Sequence, residues 1–392
     1  MNQMIYADNA ATTKVSPEVL EAMMPCFGDV YGNPSSLYSK GQEAQTLLQG
    51  AREKIASLLN CKSTEIFFTS CGSESDNWAI KGAALANRKK GMHIISTKIE
   101  HHAVLHALES LEKQGFEVTY LPVNEEGIVS VEDLKNAIRP DTILVECMYA
   151  NNEIGTIEPI AEIGAIAHEK GAWMFTDAVQ AIGNIDIDLS KLPVDMLALS
   201  GHKIHAPKGI GALYIKRGVA IANLIEGGGQ EKRRRGGTEN LPYAVGLAKA
   251  MEIATERIKD LPRVAKMRDR LIDGLTKIPY SKLNGHPADR LAGNVNIGFE
   301  FIEGESLLLW LDIAGIAAST GSACSSASLE PSHVLLATGV PHEKAHGSLR
   351  ISITHETTDE DIDYILETVP PIVEKLRAMS PLWEDVVKGQ NK

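Results

Sequence analysis

The run Met196-Leu197-Ala198-Leu199-Ser200-Gly201-His202-Lys203 sets four apolar residues directly before a small polar turn that ends in a lysine. An apolar run without polar alternation reads as a strand buried on both faces. Working outward, residues 65–70 (EIFFTS), 93–97 (HIIST), 117–121 (EVTYL), 142–147 (TILVEC) and 172–176 (AWMFT) have the same character. Between them, residues 74–88, 103–114, 131–138 and 160–170 carry apolar positions at helical spacing. Strand and helix alternating this way predict an α/β fold whose mainly parallel sheet is covered by helices on both faces. On such sheets ligands gather at the carboxyl ends of the strands, and Lys203 stands at one of them.

The pattern changes downstream. Residues 241–278 read as a long helical stretch broken at Pro262. Strand candidates at 294–299 and 348–353 follow, with helices near 305–314 and 359–379, the pattern of a smaller α+β unit. The expected division is a large domain over residues 16–258 and a small one made of residues 1–15 and 259–392. There is no internal repeat or low-complexity segment.

At 392 residues the chain is too long for one small core, and 44% hydrophobic with 23% charged residues is the balance of a globular protein. Asp and Glu number 51 against 39 Lys and Arg, a formal charge of −12 that argues against a nucleic-acid partner. The basic run from Lys232 to Arg235 is too short to reverse it. Cys26, Cys61, Cys71, Cys147 and Cys324 form no CxxC pair and make a poor disulfide framework, which fits a reduced compartment. The first residues lack the basic and apolar blocks of a signal peptide, and no apolar run approaches the roughly 20 residues that span a bilayer. The expectation is a cytoplasmic protein without a membrane partner.

Three strand ends carry chemistry. A lone lysine is ordinarily solvated, but Lys203 follows Ser200 and His202, and Gly209 and Gly211 allow close backbone approach. An amine placed there could form a Schiff base once burial and nearby positive charge strip its proton. Asp177, in Thr176-Asp177-Ala178-Val179-Gln180, is either a helix N-cap or the carboxylate that keeps a pyridinium nitrogen protonated. Thr69-Ser70-Cys71-Gly72-Ser73-Glu74 leads into a helix whose amino end would cradle a phosphate, with Ser73 also able to act as a simple cap.

Ser-Gly-His-Lys, Thr-Asp-Ala-Val-Gln, Gly-Ser-Glu-Ser-Asp-Asn (72–77), Gly-Gly-Thr-Glu-Asn (236–240) and Gly-Ser-Ala-Cys-Ser-Ser-Ala-Ser (321–328) occur in sequence. The ordered set resembles the cysteine desulfurases of the nitrogen-fixation and iron–sulfur-cluster type, in the class V aminotransferase group of fold-type I pyridoxal-phosphate (PLP) enzymes. The likeness runs from Tyr6 to Arg350. It implies that Lys203 holds PLP covalently, that Asp177 pairs with the pyridine nitrogen and that Gln180 meets the phenolic oxygen. Gly72, Ser73, Ser200 and His202 become phosphate contacts, and Thr238 reaches the phosphate of the partner in a homodimer. His101 resembles the histidine that stacks on the cofactor and moves protons. Asn152 and Arg350 resemble the groups that bind the substrate carboxylate, with Asn33 a further candidate.

Cys324 separates this reading from an aminotransferase. Its neighbours, residues 319–328, are small and hold few groups that anchor a core, so the stretch, about 319–330, reads as a mobile loop. A thiol there could ionise, attack and carry cargo away. The resemblance implies removal of sulfur from L-cysteine, leaving alanine and a persulfide on Cys324. The sulfur then passes to an acceptor such as an iron–sulfur scaffold protein. No stable metal site is expected, only a transient iron–sulfur contact at Cys324. A selenocysteine lyase and a class V aminotransferase are the rival activities. Cys71, where relatives carry Gly, and Ser73, where Thr is usual, depart from the family pattern.

Overall fold

The computed structural model describes residues 4–321 and 331–384. Its strands are β1 (Ile5–Tyr6), β2 (Ile66–Thr69), β3 (His93–Thr97), β4 (Glu117–Leu121), β5 (Thr142–Glu146), β6 (Trp173–Asp177), β7 (Met196–Ser200), β8 (Gly211–Ile215), β9 (Ser281–Leu283), β10 (Asn294–Phe299), β11 (Ile316–Ala317) and β12 (Ser348–Ser352). Seven of them form the central sheet in the order β2-β8-β7-β6-β5-β3-β4. Only β8 runs antiparallel to its neighbours, so the other six end at one edge.

Alternate side chains along each strand enter different cores. Ile66, Phe68, Ile95, Val145, Leu197 and Leu199 join one hydrophobic cluster, which includes Leu48 and Ile55 of the helix Ser39–Leu58 and Leu247 of Leu241–Arg257. Phe67, Ile94, Leu144, Met196 and Ala198 join the opposite cluster, with Trp78 and Ile80 of Gly72–Asn87 and Leu108 of His102–Glu112. Every residue of β2, β3, β5, β7 and β8 is buried, as a sheet covered on both faces requires.

A second layer is built on the antiparallel sheet β12-β10-β9, with a separate core around Leu271, Ile297, Phe299, Leu349 and Ile365. The chain's start belongs to it: β1 pairs with β11, and Asp8 bridges Ser352. Residues 10–13 then cross to the large sheet, where Thr13 N donates to His202 O at 2.8 Å. The helical stretch is interrupted just before Pro262, at the 3-10 turn Ile258–Asp260. The helix Leu241–Arg257 ends before it, and Pro262 occupies the first turn of Leu261–Leu275, where a missing N–H costs nothing. Among the described residues no helix is long and apolar enough to cross a membrane.

Candidate active site

A cavity of about 150 Å³ opens where five parallel strands of the sheet end. Each end contributes wall: Cys71, Gly72 and Ser73 after β2, His101 after β3, Met148, Ala150 and Asn152 after β5, Asp177, Val179 and Gln180 at β6, and Ser200, His202 and Lys203 at β7. Ala10 and Ala11 close one side and Arg350, on β12, another. The site therefore lies between the two layers.

Lys203 Nζ donates to the carbonyls of Ala10 and Ala11, at 2.6 and 2.8 Å. Gln180 Nε2 also donates to Ala10 O, at 3.0 Å. Asp177 is buried, and its Oδ1 accepts Val179 N at 2.8 Å, so it caps its turn and lines the cavity at once. Burial pushes its carboxyl up to about 6, with the Lys203 charge opposing the rise.

His101 is the N-cap of the helix His102–Glu112, its Nδ1 accepting Ala103 N at 3.1 Å. Burial, and then the nearby Lys203 charge, lower its pKa to about 4. The neutral ring with Nδ1 accepting must carry its proton on Nε2. His202 is likewise pushed down to about 4, chiefly by burial, and its Nδ1 pairs with Thr12 Oγ1 at 3.1 Å.

Arg350 is buried with its Nη2 on Asp8 Oδ1 at 2.8 Å and its Nη1 on Asn152 O at 3.1 Å. Its Nε has no hydrogen-bond partner among the described residues. The Cys324 thiol lies outside the described residues. The chain on its near side is fixed, because Ser319 and Arg350 exchange backbone hydrogen bonds at 3.2 and 2.6 Å.

Two expected site residues stand elsewhere. Asn33 is exposed and absent from the cavity wall; its Oδ1 accepts Ser35 N in the turn before the helix Ser39–Leu58. Thr238 is exposed in a separate groove with Thr69, Ser70, Gly209, Glu231 and Arg235. The sequence patterns assign no role to Asp8, Ala10, Ala11 or Asp76. Of these only Asp76 carried a signal, an acid one helical turn beyond Gly72.

The donor set suits PLP. An amine, a buried carboxyl and an anion nest share one cavity, equal in size to one that takes up a benzene ring. The Ser200 hydroxyl is buried with no hydrogen-bond partner among the described residues, a vacancy that a phosphate oxygen would fill. A Cβ built on Gly72 would come within 2.9 Å of Val179 Cγ2, so glycine keeps the helix terminus open. Cys71 also lines the wall, where its Sγ accepts Ser70 Oγ at 3.7 Å.

Residues 5–365 match the class-V aminotransferase family. The chain is 60% identical over 382 residues to cysteine desulfurase IscS of Methanosarcina thermophila, covering 97% of this chain and 95% of that one. It is 58% identical over 397 residues to cysteine desulfurase IscS of Clostridium botulinum strain Hall, covering both chains completely, 100% of each. A solved NifS-like protein superposes with a TM-score of 0.90 at 40% identity, covering 95% of this chain and 100% of that one. Enzymes of this family depend on PLP in general. The chain belongs to the class-V aminotransferase family and groups there with the cysteine desulfurases.

Proposed function

We propose that this protein is a cysteine desulfurase that takes sulfur from L-cysteine, leaves L-alanine and holds the sulfur as a persulfide on Cys324. The observation that carries the reading is the convergence of Lys203, Asp177, His101 and Arg350 on one cavity, in a chain this similar to cysteine desulfurases. Lys203 tethers PLP, Asp177 pairs with its pyridine nitrogen and Gln180 meets its phenolic oxygen. Gly72, Ser73, Ser200 and His202 hold the phosphate, together with Thr238 of the partner subunit. When bound, PLP supplies an electron sink that weakens the bonds around the substrate's α-carbon.

The roles of the chain's own groups follow. The Arg350 guanidinium grips the substrate carboxylate, a task its planar fork suits, and Asn152 assists. Lys203, as a neutral amine, takes the α-proton. His101 stacks beside the ring and holds its Nε2 proton next to the substrate's sulfur. The Cys324 thiolate attacks that sulfur. The new S–S bond forms as the carbon–sulfur bond breaks; the β-carbon keeps that bond's electrons and takes a proton to become a methyl group, and Lys203 returns a proton to the α-carbon to complete alanine. Cys324 stands five residues beyond Ser319, which is bridged to Arg350, so an extended chain reaches about 17 Å from the cavity wall.

The acceptor is a protein of iron–sulfur cluster assembly, in keeping with the IscS name of the relatives. A cytoplasmic setting is supported by the four described cysteines, all free thiols. The division into residues 16–258 and 1–15 with 259–392 is supported by the separate core of the second layer.

The test is a pair of variants. The purified protein should show the visible band of a lysine Schiff base, bleached by borohydride and missing in Lys203→Ala. Cys324→Ser should keep the band and lose alanine release from cysteine. Cysteine turnover that survives this substitution would reject the persulfide route. Faster turnover of selenocysteine than of cysteine in wild type, persisting in Cys324→Ser, would point to a selenocysteine lyase.

A further inference from the structure

A second cavity, of about 80 Å³, lies on the far side of the segment that carries Lys203. The large-sheet layer supplies Ser16, Ile182, residues 203–205, Ile253 and Arg257; the second layer supplies Leu261, Val264 and residues 353–355. Lys203 lines both this cavity and the candidate active site, so residues 203–205 act as the partition between them. His205 holds that partition at φ 65°, in the left-handed region that residues other than glycine seldom adopt. Its N–H donates to Thr13 Oγ1 at 2.8 Å and its Nδ1 meets Lys14 O at 2.9 Å.

The walls are apolar, with a few polar atoms left over. Ser16 is only 3% exposed, and its Oγ has no hydrogen-bond partner among the described residues. His355 Nε2, whose ring packs edge-on against His205 at 5.1 Å between centroids, has none either. Arg257 is half-buried and makes no hydrogen bond or ion pair within 4 Å with another described residue, although the Glu18 carboxylate lies near enough to feel its charge. Buried polar groups are nearly always satisfied, and each left unpaired carries a desolvation cost. A hydroxyl and an imidazole left over in one apolar cavity, with a half-buried guanidinium in its wall, describe a ligand with an anionic head and a small hydrocarbon body. Burial lowers the pKa of both histidines, so near neutral pH Arg257 supplies the positive charge, with two exposed carboxylates competing for it, Glu18 beside Ser16 and Arg257 and Asp260 at the rim. The volume is about half that of a cavity that holds benzene, which limits the occupant to a few heavy atoms.

We infer that this seam cavity binds a short-chain monocarboxylate, its carboxylate on Arg257 and Ser16 and its aliphatic part against Ile182, Ile253 and Leu261. Both layers form the walls, so occupancy ties them together behind the lysine, independently of what the main cavity catalyses.

The experiment titrates isotope-labelled propionate into the purified full-length protein and follows its line width and the protein's Tm. Two binding events are expected, because Arg350 offers another carboxylate grip. Arg257→Gln should remove one event and its share of the Tm rise, whereas Arg350→Lys should weaken only the other. Ser16→Ala should weaken the seam event by about tenfold, the worth of one hydrogen bond. It deletes an unpartnered buried hydroxyl, so its own Tm should hold or rise, which keeps the test sound if Arg257→Gln fails to fold. Propionate binding that is undiminished in Ser16→Ala and Arg257→Gln, or a single event that vanishes with Arg350, overturns the inference.

Discussion

Arg350 shows how a buried charge is kept ready for a ligand. A guanidinium this deeply buried must be paired, and Asp8 with the Asn152 carbonyl does this through the two terminal nitrogens. The same two contacts fix the plane of the fork. Lysine at this position would keep the charge and lose the planar geometry, so Arg350→Lys is not a conservative change. KM for cysteine should rise about 10- to 100-fold, the range expected when a charge-assisted hydrogen bond is lost. The Schiff-base band should not move, since Lys203 and Asp177 keep their contacts. A changed band with unchanged KM would place Arg350 in cofactor binding instead.

At the scale of elements, the strand ends and the segments that follow them carry acids whose protons burial holds more tightly than water does. Burial pushes Asp177 up to about 6, Glu100 to about 7 and Glu158 to about 8. Asp76 and Glu146 are raised for the same reason, each further by a neighbouring carboxylate. Unfolded carboxyls titrate near about 4. Above that value the folded chain still holds protons that the unfolded chain has released, so stability declines as pH climbs. The contribution is complete below about pH 4, declines from there, and is fully lost once pH has passed about 6 for Asp177, about 7 for Glu100 and about 8 for Glu158, an interval of about pH 4 to 8. The Tm of the cofactor-stripped protein should therefore fall by several degrees over that interval. Glu158→Gln should flatten the upper part, because its Oε2 contact to Val129 N survives the change. A Tm that is level or rising across the interval would show that these acids are ionised in the fold. Those strand ends were also the most legible part of the sequence. The runs at 93–97, 117–121 and 294–299 became strands at the same residues; 93–97 is buried throughout, whereas 117–121, read as a buried strand, lies at the edge of the sheet with only Leu121 buried. Gly211–Ile215 escaped notice: it returns antiparallel, without the intervening helix that marks the other strands. The helix Ser39–Leu58 also passed unread, its polar face masking the stripe that packs on the core. The lysine, the acid and the anion nest were readable because each directly follows a strand. Asp8, Ala10 and Ala11 were not, since what brings them to the cavity is pairing between the chain's start and residues far along it.

For the whole molecule, the placement of Thr238 decides what one chain can do alone. It sits exposed in a groove apart from the cavity that holds Lys203. The approach to it is rigid. Arg52 and Glu231 form a buried bidentate pair at 2.7 Å, and Glu231 Oε2 also accepts Phe68 N at 3.0 Å. These bonds hold residues 231–233 in the left-handed region, and Arg235 is tied to Glu74, at the helix end beside Ser73, at 2.8 Å. A side chain presented so firmly at the surface beside the phosphate nest suits service to a neighbouring copy. If each site combines its own Lys203 with Thr238 of the partner subunit, the two variants should complement each other. Lys203→Ala homodimers should be inactive, and Thr238→Ala homodimers should hold PLP weakly. After subunit exchange, the mixed dimer contains one site with both groups intact, the one in the Thr238→Ala chain. Equal mixing should then restore tight PLP retention and alanine release to about half of the dimers, the statistical share of mixed pairs when subunits exchange freely. Activity that never exceeds the sum of the separate variants, with exchange verified by mass, would place both residues in the service of a single chain.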